Sequence, residues 1–100
     1  MIVNIELAGA ATLEEIDNFR AFKVAAACGA DQLAAALTGL GRLDANGNAW
    51  ISMAWLLAQG RPDDAKWLAG FSAMQDYASA HGWVDPATGS LRAHIEYASS

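Results

Sequence analysis

The chain has 100 residues, 54% of them hydrophobic and 23 of them alanine, and 11 acidic against 6 basic side chains give a net charge of −5. High apolarity with only 17% charged residues excludes a disordered tail, and the length suits a single domain over residues 1–100 with one core. The scattered Arg20, Lys23, Arg42, Arg61, Lys66 and Arg92 argue against a nucleic-acid surface, which needs clustered cations to neutralise phosphates.

Val3, Ile5 and Leu7 alternate with Asn4 and Glu6, a period of two that predicts a half-buried strand at the N-terminus. A small-residue connector, Ala8 to Ala11, follows. Thr12-Leu-Glu-Glu15 has capping-box spacing, and Leu13, Ile16, Phe19 and Phe22 recur at helical intervals. This predicts a first helix from Thr12 to Cys28, stopped by Gly29. Asp31 is placed to cap a second, short helix with Leu33, Leu37 and Leu40 on one stripe.

Arg42 to Ile51 reads as a turn region or small ribbon around Asn46-Gly47, a dipeptide that favours tight hairpins. Ser52 is suited to cap a third helix, Met53 to Gln59, stopped by Gly60. Pro62 suits the first turn of a fourth helix, with Trp67, Phe71, Met74, Ala78 and His81 on its apolar stripe and Gly82 at its end. Trp83-Val84 is short and extended, Asp85-Pro86-Ala-Thr-Gly89 is turn chemistry, and Leu91, Ala93, Ile95 and Tyr97 alternate with Arg92, His94 and Glu96 as a second half-buried strand.

The predicted fold class is therefore α+β: a small antiparallel sheet formed by the N- and C-terminal strands, packed on one face by about four helices. The two strands should share a sheet and bury Val3, Ile5, Leu7, Ala93, Ile95 and Tyr97 on one face. Asn4 and Glu6 interrupt the apolar start, no basic residue precedes them, and the longest apolar run, Trp50 to Ala58, is too short for a bilayer. With a lone Cys28, the expectation is a cytoplasmic protein off the membrane.

Several motifs fail on inspection. Asp44-x-Asn46-x-Asn48 begins like a calcium loop, but Ala49 stands where glycine is needed and Trp55 where a bidentate glutamate is needed. Gly39-x-Gly41 lacks the rest of a phosphate fingerprint. Cys28 follows three alanines with no base nearby, so it reads as a core residue. His81 reads as a favourable charge at a helix C-terminus. No cofactor or metal is expected.

Two features remain. Trp50, Trp55, Trp67 and Trp83 make the chain tryptophan-rich, which suits core filling, a subunit interface or an aromatic pocket. Arg92, His94 and Glu96 share one strand face, and Glu6 and Asn4 join them if the terminal strands are neighbours. An imidazole beside a carboxylate and a guanidinium is suited to acid–base work, yet the same alternation is the ordinary pattern of a strand with one solvated face. The leading functional expectation is a small cytoplasmic protein without catalytic activity that self-associates, as a homodimer, or docks on a partner. The alternative is a small-molecule binder or enzyme using Arg92, His94, Glu96 and Glu6 beside a pocket walled by Trp50 and Trp83.

Overall fold

The computed structural model describes residues 1–97. In chain order the elements are β1 (Ile2–Ile5), β2 (Ala11–Glu14), β3 (Lys23–Ala26), α1 (Ala30–Ala36), β4 (Gly41–Leu43), β5 (Ala49–Ser52), α2 (Met53–Gln59), α3 (Ala65–Ala80), β6 (Val84–Asp85) and β7 (Ser90–Tyr97). The strands form one sheet in the order β2-β1-β3-β7-β5-β4, with β6 also paired to β7. The protein is thus α+β as expected, but the sheet is mixed rather than antiparallel. β1 and β7 each run parallel to β3, while β2, β4, β5 and β6 pair antiparallel with their neighbours. The helices in the described residues number three, not four.

The missing helix lies in the segment predicted to run from Thr12 to Cys28. Thr12, Leu13 and Glu14 form a hairpin strand on β1 instead, Glu15 takes a left-handed backbone angle (φ 49°), and the chain re-enters the sheet as β3. Tertiary burial overrides the helix preference of Val24-Ala-Ala: Val24 and Ala26 are 0% and 2% exposed, and they lie between Val3 and Ile5 of β1 and Ile95 and Tyr97 of β7.

The hairpin and later helices follow the local signals. Asn46-Gly47 lies in the connection between β4 and β5, with Gly47 at φ 81°. Ser52 Oγ accepts the Trp55 amide at 3.3 Å at the start of α2. α3 starts three residues later than Pro62, at Ala65, because Asp64 is the cap: its Oδ1 accepts the amides of Lys66 at 2.9 Å and Trp67 at 3.3 Å. Its buried stripe is Trp67, Phe71, Met74 and Ala78, as the spacing predicts, whereas His81, the last residue of the expected stripe, is exposed at the C-cap. α1 is capped by Gly29 without a side-chain bond, so Asp31 sits inside the first turn rather than at the cap.

β7 organises the molecule. Its first half, Ser90–Ala93, is flanked by β5, with β6 opposite at Ser90 and Leu91, and its second half, His94–Tyr97, lies against β3. The terminal strands do share a sheet, but β3 lies between them. Val3, Ile5, Ala93 and Ile95 are buried as expected. Leu7 and Tyr97 are not, at 73% and 47% exposed; β1 ends at Ile5, before Leu7. The alternate residues meet Leu33, Leu37, Leu56, Trp67 and Phe71 in one hydrophobic cluster. Cys28 is a free thiol in that core, 4% exposed. No described helix is long and apolar enough to cross a membrane.

Candidate functional site

Strand alternation leaves the opposite sheet face as a set of cross-strand rows. Arg42, Trp50 and Arg92 form one row across β4, β5 and β7. His94, Lys23, Ile2 and Glu14 form the next, across β7, β3, β1 and β2, and Glu96, Ala25, Asn4 and Thr12 form the third. None of these residues is fully buried, and Arg42, Arg92, His94 and Glu96 are exposed.

The three polar residues of β7 share this face but engage different partners. Glu96 accepts a 2.8 Å hydrogen bond from the Lys23 ammonium, and that bond together with the charge behind it holds the Glu96 carboxyl below the usual carboxylate range. Arg92 turns the other way, with its guanidinium carbon 5.9 Å from the centre of the Trp83 ring. His94 lies between them, paired with Lys23 on β3, and its proximity adds a smaller contribution to holding the Glu96 carboxyl down. Glu6 is outside the group: it sits past the end of β1 in a turn, where its amide bonds Ala10 O at 2.8 Å, and β3 separates β1 from β7.

Trp50 and Trp83 flank Arg92 on β5 and beside β6, and their rings engage different groups. Trp50 is half-buried on the open face, 5.4 Å from the Arg42 guanidinium, and its indole N–H donates to Asp44 Oδ2 at 3.0 Å. Asp44 Oδ1 accepts the amides of Asn46 and Asn48, each at 2.9 Å, so both oxygens of the aspartate that opens the calcium-like motif are committed to the hairpin. The Asn48 amide leads, with Trp50 next, in holding the Asp44 carboxyl below its ordinary value. Arg42 also pairs with Asp85 at 2.9 Å. Asp85 is itself held down mainly by the Thr88 hydroxyl, with the Ala87 amide and Arg42 adding to it.

Trp83 belongs to the edge beside β7, where its carbonyl accepts the Arg92 amide at 2.8 Å. Its ring stacks on His81 at 4.7 Å, and His81 in turn lies 4.3 Å from Tyr77. His81 Nδ1 bonds Tyr77 O at 2.9 Å at the C-terminus of α3, in keeping with a capping role.

A second concave region lies behind the sheet, between α3 and the connection from β2 to β3. It is lined by Phe19, Arg20, Met74 and Tyr77. Helical spacing places Phe19 and Phe22 on a helix stripe, whereas both lie in the connection between β2 and β3, so the cleft is not visible from periodicity. The signal that points to it is Gly70, a helix-interior glycine whose missing side chain admits the Phe19 ring. Comparison with family models, characterised proteins and solved structures gives no match, so the functional reading rests on these surfaces.

Proposed function

We propose that the protein is a small, non-catalytic docking module whose working surface is the open sheet face, and that its first partner is a second copy of itself. The carrying observation is the cross-strand row Arg42–Trp50–Arg92, in which a half-buried indole carries the Arg42 guanidinium 5.4 Å from its ring and both flanking arginines are exposed. Tryptophan and arginine are the residues most enriched at the energetic centres of interfaces. The surrounding charges carry both signs, with Lys23, Arg42 and Arg92 beside Asp44, Asp85 and Glu96. A twofold axis can bring such a surface into register with itself.

The reading favours docking over acid–base chemistry because the direct contacts of the β7 side chains run to different groups, Glu96 to Lys23 and Arg92 to Trp83. A lone buried Cys28 fits a reducing compartment, and the proposal places the module in the cytoplasm. Light scattering over a micromolar concentration series tests the reading. A dimer mass that reverts to monomer in Trp50→Ser supports it. A monomer mass for the parent protein throughout overturns self-association.

A further inference from the structure

The cleft behind the sheet has two adjoining lobes of about 460 and 260 Å³, the larger of them within the usual size range of small-molecule sites. The lobes share Phe19, Arg20, Met74 and Tyr77; one adds Gly70 and Ala73, and the other adds Phe22 and Trp83. Among the described residues, Arg20 is the one charged side chain that lines either lobe. The ion pairs among the described residues, Lys23–Glu96, Arg42–Asp85 and Arg61–Asp17, leave its guanidinium without a carboxylate.

The wall that carries Arg20 is fixed in place. Trp67 Nε1 donates to Ile16 O at 2.8 Å, Arg61 reaches Asp17 at 3.4 Å, and the Met1 ammonium donates to Asn18 O at 2.6 Å and Ala21 O at 2.7 Å. Phe19 lies against the Gly70 backbone, where any side chain would overlap its ring, and 5.9 Å from the Trp67 ring. A connection tied at both ends and in its middle gives a preformed apolar trough, so little ordering cost remains for an incoming ligand.

We propose that this cleft binds a small hydrophobic carboxylate, with its apolar body along Phe19, Met74, Tyr77 and Trp83 and its anionic head on the Arg20 guanidinium. The chemistry follows from the lining. Aromatic and thioether groups remove apolar surface from water without demanding hydrogen bonds. One exposed guanidinium at the edge offers a planar fork that matches a carboxylate in geometry and charge. A neutral apolar molecule gains only the first contribution and a small polar anion only the second.

The test uses octanoate, below its micelle concentration, with 1-octanol as the uncharged control and titration calorimetry as readout. Octanoate is expected to bind saturably, and 1-octanol at least about ten-fold more weakly, the scale of a charge-assisted hydrogen bond. Arg20→Gln should weaken octanoate by about the same factor and leave 1-octanol unchanged. Ala73→Trp, at an exposed helix position, should block the lobe and abolish binding, with far-ultraviolet circular dichroism confirming that the helix is retained. Absence of saturable octanoate binding, equal affinity for 1-octanol, or full binding by Ala73→Trp would each overturn the proposal. None of these variants touches the open sheet face, so the result stands apart from the dimer test.

Discussion

The two faces of β7 carry the same strand and opposite chemistry. On the covered face Leu91, Ala93 and Ile95 are 1%, 1% and 7% exposed and join the single core cluster. On the other, Arg92, His94 and Glu96 alternate with them and remain exposed. In a small domain, which buries a smaller share of its surface than a large one, the covered face is where stability is concentrated, and the open face is free to be specified by what it meets. Substitutions on one strand, one residue apart, should separate these roles.

The largest effect is expected at the covered face. Leu91→Ala removes a side chain buried in the core from the stretch of β7 that pairs with both β5 and β6, and should cost about 2–5 kcal/mol of unfolding free energy in urea titration. Its neighbour Arg92→Ala should stay within about 0.5 kcal/mol while reducing dimer mass at a given concentration. Equal destabilisation by the two would dissolve the distinction between the faces.

Smaller effects sharpen the comparison away from β7. Gly70→Ala pushes a methyl group into the Phe19 ring and should cost about 1–3 kcal/mol, with the shift visible in the Phe19 ring resonances. Asp64→Ala removes the two cap bonds of α3 and should cost about 1 kcal/mol by thermal unfolding. Neither change should alter association, since both lie on the covered side.

The extent to which this arrangement was legible follows from where its contacts come from. Ser52 before α2, the Asn46-Gly47 turn and the Trp67–Ala78 stripe rest on residues near in sequence, and each appears where its local pattern places it. β3 rests on pairing with β1 and with β7, some seventy residues downstream. An alanine-rich segment with a capping box therefore reads as helix until those partners are known. The same distance hid the site: the Arg92, His94 and Glu96 face was visible from alternation, but Lys23 as the partner of Glu96 and the exclusion of Glu6 both depend on β3 lying between the terminal strands. The cleft was hidden for the same reason.

The smallest expected effect is the pH response of the β4–β5 hairpin. Asp44 has a folded pKa below its ordinary value of 3.8, so it binds its proton less readily when folded. Its stabilising contribution is complete above the unfolded value and is lost as pH falls through the folded one. Acidification below about pH 4 should release the Trp50 indole N–H, followed as a chemical-shift change, and Asp44→Asn should remove that step.

The open face itself is tested most directly by amide and indole chemical shifts recorded over a concentration series from tens of micromolar to millimolar protein. The account predicts shifts that move with concentration at Lys23, Trp50, Arg92, His94 and Glu96, while Phe19, Gly70 and Met74 behind the sheet stay fixed. Spectra that do not change with concentration, or changes centred on the residues behind the sheet, would contradict it.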